Sequence, residues 1–184
     1  VTIEGKTYAL PDPFFIIATM NLNGVHLFPL PAPQLDRFMI RISLGYPSPE
    51  AEEEIIRRHG RADGWAGFGP VIDSPKLVEW KGLVDEVTLH PEVVSYLVAC
   101  IRETRNHPDL EMGASPRAGV KISRLVRALA LIRGLDYVPI DLVKETFLPS
   151  MAHRIVTRDP AISPESILEK ILDHVPVETS RRRK

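Results

Sequence analysis

Three residues combine a chemically capable side chain with neighbours that do not explain it. Asn21 closes the apolar run Phe14-Phe15-Ile16-Ile17-Ala18-Thr19-Met20. An amide at the carboxyl end of a buried strand can orient a water molecule, because it both donates and accepts hydrogen bonds. Ligands of open α/β sheets bind beyond that end, although Asn is also an ordinary turn former. Arg37 follows Asp36 in Pro33-Gln34-Leu35-Asp36-Arg37-Phe38, two charges between two apolar residues. A guanidinium presents a rigid fork of five donors that suits phosphate oxygens. The alternative is a surface ion pair, worth about 0–1 kcal/mol. Arg117 falls in the first turn of a helix announced by Ser115 as N-cap and Pro116 at the first helical position. The helix dipole disfavours a cation there, but helix N-termini bind phosphates and a nearby Arg strengthens such a site. Its other reading is a long side chain reaching solvent.

The remaining candidates carry less chemistry. The six histidines, at 26, 59, 90, 107, 153 and 174, lack zinc-ligand spacing, and Cys100 is the only cysteine. No metal site is expected from them, and Cys100 reads as a small core residue. The glycines at 60, 64, 67 and 69 lack the Lys-Ser/Thr ending of a phosphate loop and read as linker. The terminal Arg-Arg-Arg-Lys run reads as a solvated terminus.

The elements that must position these residues fall into two styles. Val1 to Ile3 and Thr7 to Leu10 flank Glu4-Gly5-Lys6, a hairpin signal. The run 14–21 suits a strand buried on both faces. Residues 22–34 form a Pro-rich loop, and Phe38 to Leu44 reads as a second strand. Two such strands cannot stand alone, so their neighbours are expected outside this chain. From Ser48 the pattern is helical. Ser48 as N-cap, Pro49, acids in the first turn and bases in the last delimit a helix that Gly60 stops. Further helices read at about 75–85, 91–106, 116–133, 140–150 and 164–173. In the second of these, Val93, Val94, Leu97, Val98 and Ile101 make an apolar face. In the third, Val120, Leu125, Val126, Leu129 and Ile132 do so. The fold class expected is therefore the end of an α/β unit followed by an all-α bundle, mostly α overall.

Composition sets the outer limits. The chain has 184 residues, 44% hydrophobic and 26% charged, with net charge −1. That is a soluble globular mix without the basic field of a nucleic-acid or anionic-membrane binder. No apolar run reaches the ~18 residues of a membrane span, and a single cysteine fits a cytoplasmic protein. The first residue, Val1, stands inside a strand-like run, which reads as a piece of a longer protein.

Several blocks in order carry a more specific resemblance: Val1 to Asn21, "PLPAPQLDRF", "ISLGYPSPEAE", "HPEVVSYLV" and "LEMGASPRA". Over residues 1 to 158 they resemble AAA+ ATPases of the MoxR family and, more distantly, magnesium-chelatase ATPase subunits. The resemblance implies four parts: residues 1–47 as the last part of the P-loop core, 48–73 as helix and linker, 74–158 as the helical lid, and 159–184 as a terminal helix and basic tail. It implies that the hairpin is the insertion before sensor 1 and that Asn21 is the sensor-1 residue positioning the attacking water. Arg37 matches the arginine finger offered to a neighbour's nucleotide, and Arg117 matches sensor 2. ATP and Mg2+ are the implied cofactors. A ring, in hexameric form, and client proteins with von Willebrand factor A domains are the implied partners. Neither G-x-x-x-x-G-K-[ST] nor an apolar strand ending in Asp-Glu occurs in the sequence. Both are expected upstream of Val1, and the chain alone is expected to be inactive. A rival reading is a non-enzymatic helical interaction module touching DNA through Arg124, Arg127 and the basic tail.

Overall fold

The computed structural model describes residues 1–20, 30–58 and 67–177. It opens on a small hairpin, β1 (Thr2–Ile3) and β2 (Lys6–Thr7), paired antiparallel with Thr2 opposite Thr7 and Ile3 opposite Lys6. The turn is Glu4-Gly5, with φ of 50° and 80°. Two residues at positive φ match the twist of the flanking strands. Lys6, expected in the turn, belongs to the second strand.

The buried strands expected over 14–21 and 38–44 do not form among the described residues. Residues 14–20 join no sheet, and Ile17 is 82% exposed. Residues 40–47 are likewise irregular, with Leu44 at 92%. The cause is the absence of pairing partners: an apolar run becomes a strand only against a ladder of donors and acceptors, and none of the described residues supplies one. The expected class, a core remnant followed by a helical bundle, stands with the remnant's strands reduced to the hairpin.

The helical expectations hold closely. A short turn, α1 (Ala32–Leu35), precedes Asp36. Helix α2 (Pro49–Arg57) starts at Ser48, whose Oγ accepts the Ala51 amide at 3.3 Å. Helix α3 (Ser74–Leu83) is capped by Asp73, which accepts the Lys76 amide at 2.9 Å, and continues as a 3-10 turn over Val84–Glu86. Helices α4 (Pro91–Asn106), α5 (Pro116–Ile132), α6 (Ile140–Met151) and α7 (Pro164–His174) build the bundle. A two-stranded strap, β3 (Leu110–Met112) with β4 (Val156–Thr157), ties the α4–α5 connection to the chain after α6.

One core joins α4 to α7, with Cys100, Ile122, Val126, Phe147, Met151 and Leu168 fully enclosed. Burying a large apolar side chain contributes about 1.5–3 kcal/mol, so the bundle supplies its own stabilisation. The buried faces are rotated from the expected ones. On α4 they are Val93, Tyr96, Leu97, Cys100, Ile101 and Thr104, while Val94 and Val98 are exposed. On α5 the stripe is Ala118, Ile122, Val126 and Ala130, with Val120 and Ile132 exposed and Leu125 and Leu129 half-buried. Small residues let α5 approach closely. A Cβ at Gly119 would stand 3.1 Å from Ile101 Cδ1. Counting only large hydrophobics therefore misplaced the seam.

Candidate functional site

The site is assembled where the segment after α1 lies on the end of α6. A helix leaves its last carbonyls without intrahelical partners. Those of α6 are taken up locally and from afar. Leu148 O accepts the Ala152 amide at 3.0 Å, Pro149 O accepts the Arg41 amide at 2.8 Å, and Ser150 O accepts an Nη1–H of Arg154. Arg154 is only 1% exposed, a cation at a helix C-terminus where the dipole favours it. It also donates from Nε to Asp36 Oδ1 at 3.0 Å, from Nη1 to Met39 O at 3.3 Å, and from Nη2 to Phe38 O and, at 3.4 Å, Asp36 O. One buried guanidinium thus holds the main chain on both sides of Arg37. His153 adds Nε2 to Phe38 O at 3.3 Å, so Nε2 carries the proton. Farther along, Arg41 pairs with Glu165 in the first turn of α7.

Asp36 meets more cations than Arg154. Lys121 of α5 donates to its carbonyl, and Arg117 Nη1 stands 3.9 Å from Oδ2. The Asp36 carboxylate is the compensation that the Arg117 position, in the first turn of α5, lacked in sequence. Arg117 remains 68% exposed, and Ser115 sits at the N-cap with no capping bond from its hydroxyl. Arg37 is exposed, and its side chain has no hydrogen bond or ion pair among the described residues. Lys121 has its pKa lowered by burial first and then by Arg154, against the attraction of Asp36, with Arg117 and Arg37 adding to the repulsion. Arg154 and Arg117 face the Asp36 carboxylate, Lys121 takes its carbonyl, and Arg37 is the next residue in the chain. Such an excess of guanidinium and ammonium donors, two of them exposed, suits a polyanion.

The start of α5 is held by close backbone packing. A Cβ on Gly113 would lie 2.5 Å from Thr104 O and 2.6 Å from Arg105 Cα. Only glycine lets the loop touch α4 there. Thr104 Oγ1 accepts the Ala114 amide at 3.0 Å and Arg105 Nε donates to Ala114 O at 2.7 Å. Arg117 therefore projects from a fixed base.

Of the three residues singled out in sequence, Arg37 and Arg117 are brought to one region, bridged by Asp36. Asn21 lies outside the described residues, as do the terminal Arg-Arg-Arg-Lys residues. Arg154, Lys121 and Gly113 were missed. Gly113, just before a Ser-Pro helix start, carried a readable signal; Arg154 carried none, because its partner is distant in the chain. Among the described residues no cluster of His, Cys, Asp or Glu could hold a metal ion, and no helix is long and apolar enough to cross a membrane.

Comparison with known proteins bears on this arrangement. The family described as AAA, ATPase family associated with various cellular activities, matches residues 1–40, and the AAA lid domain matches residues 102–172. Chaperone MoxR1 of Mycobacterium tuberculosis is 36% identical over 95% of this chain and 50% of its own length. The chain is similar to the MoxR-type AAA ATPases. A second relative, Uncharacterized protein YeaC of Bacillus subtilis, is 31% identical over 98% of the chain and 58% of its own length. A crystal structure described as a "putative ATPase" from Cytophaga hutchinsonii superposes with a TM-score of 0.84 at 30% identity, covering 97% of this chain and 58% of that one. The chain thus spans about half the length of the curated relatives it matches. The two family matches fall on the parts that meet at Asp36: its segment lies in the first, and Arg117, Lys121 and Arg154 lie in the second.

Proposed function

We propose that this chain forms the sensor, finger and lid portion of an ATPase that hydrolyses ATP to ADP and phosphate in a ring, as a hexamer in the cytoplasm. Its clients are proteins with von Willebrand factor A domains, which it remodels, activates or loads with cofactors. The observation that carries this reading is the pairing of Asp36 with both Arg117 and Arg154 beside the exposed Arg37. It sets two exposed guanidiniums, from two family-matched segments, on a common base.

Each residue then has a distinct task. Arg117, exposed at the start of α5, fits a phosphate oxygen of nucleotide held by its own subunit. Leaving Asp36 for that phosphate replaces a 3.9 Å contact with a charge-assisted hydrogen bond. Arg37 reaches outward to the nucleotide of the adjacent subunit and stabilises charge developing on the transferred phosphoryl group, an effect worth ~10³–10⁵ in rate. Asn21 orients the attacking water. Magnesium, when bound, neutralises phosphate charge, and its ligands belong to motifs that this sequence does not contain. For the same reason the chain by itself neither binds ATP tightly nor turns it over.

The test is the ATPase rate of the assembled full-length protein. Arg37→Ala is expected to abolish most turnover while leaving the ring intact. A wild-type rate would remove the finger assignment.

A further inference from the structure

We infer that Arg154, on the lid, is the positioning residue for Arg37, so that each subunit's lid sets the place of the finger it offers to its neighbour. The inference rests on the finger reading of Arg37. Its physical basis is the donor arrangement of one side chain. Arg154 engages the Asp36 carboxylate and the carbonyls of Asp36, Phe38 and Met39, the residues flanking Arg37 on both sides. Its root is fixed by Ser150 O and by the Arg154 amide bond to Met151 O at 2.8 Å, so it moves with α6. Arg37 itself is left with a fixed backbone and an exposed guanidinium that has no hydrogen bond or ion pair among the described residues.

A purely structural role does not account for this choice. Apolar residues in place of a buried ion pair are often as stable or more so. What a buried, multiply bonded guanidinium supplies is directional fixing of a chain segment 118 residues away. His153 to Phe38 O and the Arg41 amide to Pro149 O run between the same two elements, so the segment is bonded to the end of α6 from Asp36 to Arg41. A shift of the lid would displace Arg37 by a comparable amount, and misplacements of about 1 Å can cost ~10²-fold in rate.

The experiment uses the assembled full-length ATPase with Arg154→Met, with the milder Asp36→Asn, and with Arg37→Ala alone and combined with Arg154→Met. Arg154→Met is expected to lower kcat about 10²-fold while KM for ATP stays within about twofold. The Arg41 amide is expected to exchange hydrogen at least about tenfold faster, and the double variant to be no slower than Arg37→Ala. If Arg154→Met does not fold, Asp36→Asn carries the test with the same signs. Losses that multiply in the double variant overturn the inference, as does a slow Arg37→Ala beside Arg154→Met and Asp36→Asn at wild-type kcat. An Arg37→Ala protein at the wild-type rate instead removes the finger reading, and this inference with it.

Discussion

Arg154 Nε donates to Asp36 Oδ1 at 3.0 Å, joining residues 118 positions apart. The guanidinium is fully buried while the carboxylate is 21% exposed. The pair locks the Arg37 segment to the helical lid, and most of what can be tested follows from it.

Removing the carboxylate strands a buried cation. Breaking one side of a buried pair costs about 3–5 kcal/mol; partial exposure of Asp36 reduces this to about 2–3 kcal/mol. Asp36→Ala should lower the chemical-denaturation midpoint accordingly, whereas Asp36→Asn, which retains an acceptor, should cost less. Equal, negligible shifts in both would mean that the contact does not form in solution.

Gly113 and Gly134 should rank differently. Gly134 has φ of 71° at the end of α5, where the Leu135 amide reaches Ala130 O at 2.9 Å, and space around it is open. Gly134→Ala should cost about 1 kcal/mol, from conformation alone. Gly113→Ala forces backbone apart at 2.5 Å and should cost more, about 2–3 kcal/mol. Thermal unfolding of the two variants decides the order; the reverse order would show that the loop before α5 yields easily.

Acid should loosen the docked segment. Burial, and then the neighbouring Arg154 charge, push His153 down to about 4 in the folded state, from an ordinary 6.5. The unfolded chain therefore binds the proton first. Stability from a neutral His153 is complete above pH ~6.5 and is lost as pH falls through about 4, by up to about 3 kcal/mol. Glu165 acts in the same direction at lower pH. Partial burial raises its pKa, but backbone donation at the start of α7, Ser163 and Arg41 outweigh that and hold it low. Unfolding midpoints between pH 7 and 4 should fall, and less steeply in His153→Gln. Identical slopes would remove His153 as the cause.

Cys100 should be inert until the bundle opens. It is fully buried, and burial pushes its thiol up to about 11. A thiol reagent at pH 8 should label the unfolded chain rapidly and the folded chain only at the rate of opening. Labelling of native protein at the free-thiol rate would place a gap between α4 and its neighbours.

The helices were legible in sequence because their signals are local: Ser48, Pro49, Ser115 and Pro116 mark starts that the structure keeps within a residue or two. The strands over 14–21 and 38–44 were not, because a strand is a property of its partners. Buried faces were half legible: Val93, Leu97, Ile101 and Val126 were placed correctly, but Ala118 and Ala130 carry the α5 seam by being small. At the site, Arg37 and Arg117 stood out by breaking local rules. Arg154 broke none, since nothing in the residues around position 154 announces Asp36.

The central claim is that Arg37 acts on nucleotide held by another subunit. Its most direct measurement mixes two inactive full-length proteins, one carrying Arg37→Ala and the other lacking the phosphate-loop lysine. In mixed rings, intact fingers face intact nucleotide sites at some interfaces, so ATPase activity should reappear. A mixture as inactive as its two components, in rings shown to contain both, would contradict the account.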